Sequence, residues 1–103
     1  MDLRDLTAEN TQPFVGTTFR LEFADGKSVE LTLDRVEVLL EKHLHKRMKR
    51  DSFGLYFAGP PGIYLPQGMY PTYHETLGGP MTIFYVPISR REDGGFEFEA
   101  VFT

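Results

Sequence analysis

The chain contains 103 residues, of which 41% are hydrophobic and 25% charged, and this composition is typical of a single globular domain rather than a disordered, collagenous or coiled-coil protein. It has no cysteine, which excludes disulfides, thiol catalysis and thiolate metal sites. No apolar run approaches the roughly 20 residues that a membrane-spanning helix needs, and the first residues lack the apolar centre of a signal peptide. We therefore expect a cytoplasmic protein without a membrane partner, and the sequence leaves open a later export or assembly into a fibre.

The charge is distributed unevenly along the chain. Its net value is −4, but five cations and no acid fall within residues 42–50, the basic segment, so that the remainder carries a net charge of −9. These cations are Lys42, Lys46, Arg47, Lys49 and Arg50. A pI near 5.3 argues against nucleic acid as the partner, whereas the basic segment predicts local attraction to an acidic one.

The first expected element is a short helix or turn that covers one end of the fold. Thr7 is placed to cap a helical turn over residues 8–12, because its hydroxyl can accept a free N-terminal amide. Pro13 and Gly16 then end the turn.

A β-hairpin follows. Apolar residues alternate with polar ones through residues 19–23 and again through residues 29–33. A two-residue Asp-Gly turn would place the two apolar rows on opposite faces, whereas a three-residue loop ending at Gly26 pairs Phe19 with Leu31 and places both rows on one face. We therefore predict the three-residue loop, with Gly26 in the left-handed region.

The alternation changes phase within the second strand of this hairpin. Apolar residues fall on odd numbers up to Leu33 and on even numbers from Val36 to Leu40. One extra residue near positions 34–35 restores a common apolar face. This is the effect of a β-bulge, and bulges bend strands in small barrels and sandwiches.

Four further strands, separated by turns that include residues 77–80, are expected over residues 52–58, 69–75, 81–90 and 96–102. Pro71 and Pro87 lack a backbone N–H and predict edge or irregular strands, with a bulge or sheet corner as the alternative at Pro87. We expect one all-β domain over residues 1–103, with its core over about residues 6–102. Its predicted architecture is a small antiparallel barrel or sandwich of about six strands with a short N-terminal helix or turn.

Several short pieces in a fixed order resemble a small bacterial family of uncharacterised all-β proteins with the pattern LPQGxY…LG…VPI. The matching pieces are Leu65-Pro66-Gln67-Gly68-Met69-Tyr70, Leu77-Gly78 and Val86-Pro87-Ile88. Members of that family are often encoded near proteins with a phage-tail-collar type of domain. The resemblance therefore implies a role with tail-like or surface-fibre proteins, and it supplies no catalytic residues.

The metal-ligating pattern in the sequence is weak. Glu41, His43 and His45 alternate, so on a strand they would point the same way, and imidazole with carboxylate suits zinc. The neighbouring cations of the basic segment oppose a bound cation, and we therefore predict no metal site and no cofactor. The segment itself is either a short helix, with Leu44 and Met48 on one face, or a long loop.

Two other patterns have structural interpretations as well as functional ones. Tyr64, Pro66, Gln67 and Tyr70 lie in a Pro- and Gly-rich stretch and are candidates for a protein-binding face, because tyrosine offers contact area at little entropic cost. His74 precedes a glutamate and resembles an acid–base pair, but no nucleophile accompanies it. We prefer a histidine that forms a hydrogen bond to a turn.

The preferred function is that of a non-enzymatic structural, adaptor or assembly protein that acts by protein–protein contact, with a tail-collar-like fibre protein as the implied partner. The expected contact surfaces are the basic segment and residues 59–70, and a homo-oligomer is compatible with unpaired strand edges. The alternative is a barrel domain that binds a small ligand or a metal. A third interpretation, binding of phosphate or an anionic surface by the basic segment, predicts strong salt dependence.

Overall fold

The computed structural model describes residues 2–40 and 51–103, and within them six antiparallel strands form a closed barrel in the order β1-β2-β3-β6-β5-β4. The strands are β1 (Thr18–Glu22), β2 (Ser28–Leu40), β3 (Ser52–Ala58), β4 (Gly68–His74), β5 (Gly78–Arg90) and β6 (Phe96–Phe102). The expectation of a small all-β barrel with about six strands is confirmed.

The N-terminal segment forms one short helix, α1 (Ala8–Thr11), between two 3-10 turns. Thr7 caps it as predicted: the Asn10 backbone N–H donates to Thr7 Oγ1 at 3.0 Å, and the Thr7 N–H donates to Asn10 Oδ1 at 2.7 Å. Leu6 joins the buried apolar cluster of the strands, which anchors this segment to the barrel. No helix in the described part of the chain is long and apolar enough to cross a membrane.

The first hairpin has the predicted register. Phe19 pairs with Leu31 and Leu21 with Val29, so both apolar rows face the core. The loop has three residues, and Gly26 has a φ of +83°, which a side chain would strain. Placing the apolar rows on one face therefore determines the turn type.

The two longest strands each change partner along their length. β2 pairs with β1 through Thr32 and with β3 from Thr32 onward, and β5 pairs with β4 through Tyr85 and with β6 from Val86 onward. Register shifts follow Leu33 in β2 and Pro87 in β5. The first shift confirms the bulge that the change of phase predicts, and both shifts lie close to the point where the strand changes partner.

Closure of the barrel overturns the expectation that Pro71 and Pro87 mark edge strands, whereas the register shift after Thr72 confirms the alternative of an irregular strand at β4. β4 lies between β1 and β5, and β5 lies between β4 and β6. Pro71 pairs with Thr82 but lies outside the β1–β4 ladder, which involves the β4 residues Thr72 to His74. Pro87 adjoins a register shift, so its alternative interpretation as a bulge is confirmed. Each proline therefore sits where only one neighbouring strand is paired with it, and its missing N–H is tolerated there.

The turn between β4 and β5 occurs earlier than the sequence predicts. The expected turn covers residues 77–80, but the structure turns at residues 75–77, and β5 already begins at Gly78. His74 is the reason, because its ring nitrogen Nδ1 accepts hydrogen bonds from the backbone N–H groups of Thr76 and Leu77. A turn closed by a side chain carries little of the Gly and Pro signal used to place turns.

Aromatic rings contact one another in a continuous chain inside the barrel, which we call the aromatic column. Neighbouring ring centroids lie between 4.5 and 6.2 Å apart. In order, the column contains Phe14, His74, Phe19, Phe57, Tyr85, Tyr70 and Phe23. Its central rings are fully buried, so side chains fill the interior of the barrel.

Replacement of Phe57, a central ring of the column, with alanine is expected to lower the free energy of unfolding by about 3–5 kcal/mol, because the removed ring leaves a cavity. The matched control Tyr64→Ala removes an exposed aromatic ring and should cost less than about 1 kcal/mol. Chemical denaturation followed by circular dichroism measures both. Similar losses for the two variants would contradict the structural role of the column.

Candidate functional site

Residues 59–67, which connect β3 to β4, form most of the predicted contact segment, and we call them the contact loop. Two backbone–backbone hydrogen bonds attach it to neighbouring segments. The Gly59 N–H donates to the carbonyl oxygen of Phe96 at 2.9 Å, and the Gly62 N–H donates to that of Gly94 at 3.2 Å. These two bonds hold the first half of the contact loop.

Tyr64 and Leu65 face opposite ways in the contact loop. Leu65 is 6% exposed and belongs to the core cluster, so it anchors the loop. Tyr64 is 58% exposed, and its ring packs edge-on against Phe96 with the centroids 5.1 Å apart. Packing orients this tyrosine while most of its surface stays open to solvent.

Tyr70 supports the contact loop from β4. Its hydroxyl donates a hydrogen bond to the carbonyl oxygen of Pro66 at 2.7 Å, and its ring belongs to the aromatic column. Of the four residues predicted for this surface, Tyr64, Pro66 and Gln67 are exposed, whereas Tyr70 is half-buried. The structure thus separates three residues that can contact a partner from one that holds the loop in position.

Replacement of Tyr70 with phenylalanine is expected to cost about 0.5–1.5 kcal/mol and to accelerate amide hydrogen exchange in the contact loop, because only the hydrogen bond to Pro66 is lost. Hydrogen exchange read by mass spectrometry measures the effect. Tyr73→Phe is the matched control, since the Tyr73 hydroxyl has no hydrogen-bond partner among the described residues. Equal exchange in both variants would show that Tyr70 does not hold the loop.

Two sets of candidate residues lie outside the described residues. One comprises the cations of the basic segment, Lys42, Lys46, Arg47, Lys49 and Arg50, and the other the weak metal candidates Glu41, His43 and His45. Within residues 2–40 and 51–103, no three His, Asp or Glu side chains are grouped closely enough to hold a metal ion.

His74 has the structural role that we prefer from the sequence. Its Nδ1 accepts from the N–H groups of Thr76 and Leu77 at 3.0 and 3.1 Å, so the ring proton must lie on Nε2, which is 2.8 Å from Thr17 Oγ1. Burial lowers the pKa of His74, and the nearby Glu75 carboxylate opposes this shift only in part. The ring is therefore a neutral link between the β4–β5 turn and the start of β1.

The buried neutral state of His74 predicts a pH-dependent stability. As the pH falls below the ordinary histidine pKa of about 6.5, the unfolded chain takes up a proton that the folded chain does not, so the free energy of unfolding decreases. Denaturation at a series of pH values measures this slope. In His74→Asn, whose side-chain oxygen can accept from the same amides, the slope between about pH 7 and pH 5 should be smaller. An unchanged slope would exclude His74 as its source.

The outer face of the barrel carries a polar cluster that the sequence did not indicate. We call it the outer clamp, and it consists of Arg35, Tyr56, Glu97 and Glu99. The Arg35 guanidinium lies 4.2 Å from the centre of the Tyr56 ring and forms an ion pair with Glu97, while the Tyr56 hydroxyl donates to Glu99 at 2.7 Å. A Cβ at Gly54 would lie 2.9 Å from the Tyr56 ring, so the glycine provides room for the ring. The only sequence signal is a strand glycine two residues before an aromatic.

The clamp joins three strands through Arg35 and Tyr56. Burial, together with the hydrogen bond to Glu99, raises the pKa of Tyr56 far above its usual value, so its hydroxyl remains a donor. Arg35 binds carboxylates of both β2 and β6, and Tyr56 of β3 lies between these strands. These contacts therefore join β2, β3 and β6 on the outer face of the barrel.

A groove of about 500 Å³ lies on the outer face near the start of β1 and the β4–β5 turn. Arg20, Glu30, Tyr73 and Glu75 contribute to its lining. Arg20 is already engaged, because its guanidinium lies 4.8 Å from the Tyr73 ring centre and 3.3 Å from a Glu22 carboxylate oxygen. The groove therefore does not present a free cation to an anionic ligand.

The fold is a small closed β-barrel whose interior is filled by side chains. Its exposed aromatic Tyr64 lies on the contact loop, and the outer clamp lies on the outer face of the strands. Residues 6–102 match the model of the family described as domain of unknown function DUF6916, and the chain belongs to that family. No curated protein and no solved structure matches the chain. The family match agrees with the expected resemblance to uncharacterised proteins and spans the same residues as the core expected from the sequence.

Proposed function

We propose that the protein is a non-enzymatic contact domain, an adaptor or assembly component that binds another protein through the contact loop and the basic segment. The observation that carries this proposal is Tyr64, a large aromatic side chain that is more than half exposed on a loop with its own backbone support. Such a ring contributes contact area without an ordering cost on binding, because packing against Phe96 already orients it.

The filled interior supports this proposal over the alternative of a ligand-binding barrel. The aromatic column occupies the space in which a small ligand would bind, and fully buried apolar side chains surround it. The titratable groups of the outer clamp and His74 are engaged in hydrogen bonds that hold the fold together. Their arrangement therefore favours a scaffold for exposed surfaces.

The charge distribution supports an acidic protein as the partner. A basic segment on an otherwise acidic chain attracts an acidic protein surface locally and repels polyanions in general. The partner that the family resemblance implies is a tail-collar-like or surface-fibre protein, encountered in the cytoplasm before any assembly into a fibre.

The test is quantitative affinity capture from the native host lysate, followed by binding measurements with the purified captured protein. Tyr64→Ala is expected to weaken binding of that protein by about tenfold or more, as removal of a central aromatic contact does. Ile88→Ala, which shortens an exposed apolar side chain on β5, is the matched control and should bind normally. Undiminished binding by Tyr64→Ala would contradict the loop assignment.

A second pair of variants tests the basic segment. Changing its five cations to serine is expected to weaken binding and to flatten its salt dependence, whereas changing Lys27, Arg90 and Arg91 to serine should not. A captured fibre-like protein that binds all variants equally would contradict the proposed surfaces. Stoichiometric metal in the untagged protein, lost in His43→Ala, would instead favour the metal-binding alternative.

A further inference from the structure

The β4–β5 turn, residues 75–77, is closed by hydrogen bonds to one side-chain atom. Nδ1 of His74 accepts from the backbone N–H groups of both Thr76 and Leu77, at 3.0 and 3.1 Å. A ring nitrogen accepts only while it carries no proton. The turn therefore depends on the protonation state of a residue type that titrates near neutral pH. We call the His74 ring together with this turn the histidine latch.

The other ring nitrogen of His74 has the opposite role. Thr17 Oγ1 donates its single proton to the carbonyl oxygen of Phe14, so it must accept from His74 Nε2, which lies 2.8 Å away. Nε2 therefore carries the ring proton, in agreement with an accepting Nδ1. A second proton can bind only at Nδ1, where it removes both hydrogen bonds to the turn and leaves the bond to Thr17 in place.

The end of the β4–β5 hairpin has few other attachments. After the register shift that follows Thr72, the pairing between these strands consists of His74 with Gly78. Of residues 75–80, Leu77 is buried and the others are exposed. A segment with few buried contacts opens at a lower free energy than the core. Loss of the two hydrogen bonds is therefore expected to open the turn before the barrel unfolds.

The surroundings of the His74 ring favour its neutral form. The rings of Phe14 and Phe19 pack against the imidazole, with centroids 5.0 and 4.5 Å away. Burial lowers the pKa of His74 more than the Glu75 carboxylate raises it. The closed latch thus resists a proton that an exposed histidine takes up. The titratable residues that line the groove beside the ring are Arg20, Glu30, Tyr73 and Glu75.

We propose that the histidine latch is an acid-sensitive switch, in which protonation of His74 at Nδ1 releases the β4–β5 turn while the barrel stays folded. Release uncovers Leu77, a core side chain that is 3% exposed in the closed state. Leu77 directly precedes Gly78, which lines the groove on the outer face. The switch lies outside the contact loop and does not rest on the proposed partner binding.

The test is amide hydrogen exchange of the full chain, followed by NMR at pH 7 and pH 5. Protection is the intrinsic exchange rate at each pH divided by the observed rate. An open histidine with the ordinary pKa of about 6.5 favours opening by up to about 25-fold at pH 5 relative to pH 7. We expect the protection of the Thr76 and Leu77 amides to fall by several-fold, up to that limit. At pH 5, Leu55 and Phe57, which are paired on both sides of β3, should keep native chemical shifts.

Dilute urea distinguishes opening of the turn from unfolding of the barrel. A local opening exposes little surface, so exchange of Thr76 and Leu77 should hardly change with urea. Exchange of Leu55, which requires unfolding of the barrel, should accelerate.

The matched variants exchange one histidine position for another. His74→Asn retains an oxygen that can accept from the same two amides and gains no proton at pH 5, so its turn should keep the protection seen at pH 7. The double variant His43→Asn and His45→Asn removes the other two histidines of the chain and should respond as wild type. Circular dichroism shows whether each variant folds.

Three results would each overturn the proposal. The first is a wild-type turn whose protection differs less than twofold between pH 7 and pH 5. The second is turn exchange that accelerates with urea as steeply as exchange of Leu55. The third is an undiminished response to pH in folded His74→Asn. The first two are measured on the wild type, so they decide the proposal even if His74→Asn does not fold.

Discussion

The contacts between aromatic rings across the barrel are the interaction on which the rest of this structure depends. Phe19 of β1 packs against Phe57 of β3, and Phe57 packs against Tyr85 of β5. β1 is not hydrogen-bonded to β3, and β3 is not hydrogen-bonded to β5. The central rings therefore connect strands that are separated by one other strand, which backbone pairing alone cannot do. They also fill the interior of the barrel.

Six strands surround this column, and the two longest of them, β2 and β5, must bend to do so. β2 and β5 each exchange one partner strand for another, and a register shift lies near each exchange. After the bulge in β2, Val36 packs partly against the core, whereas Val38 is 50% exposed. Pro87 is tolerated beside such a shift, because the strand there pairs with β6 alone. The same constraint thus explains the change of phase in β2 and the position of a proline within β5.

The exterior is divided into surfaces of different character. The contact loop displays Tyr64 on a backbone held by β6 and its preceding turn, and Tyr70 connects that loop to the aromatic column. In the outer clamp, Arg35 pairs with Glu97 and Tyr56 donates to Glu99, and these contacts join β2, β3 and β6. The paired side chains of Met69 and Phe84 form an exposed apolar surface on β4 and β5.

The sequence by itself determined the local features of this protein, because their physical causes are local. Spacing and alternation account for the Thr7 cap, the three-residue hairpin loop at Gly26, the bulge after Leu33 and the all-β class. The tertiary structure alone decided barrel closure, which removed the expected edges at the prolines. It also decided the early turn at His74 and the outer clamp, since each depends on contacts between side chains or strands that alternation does not report. Alternation indicates which face of a strand is apolar, whereas only the folded chain decides what lies against that face.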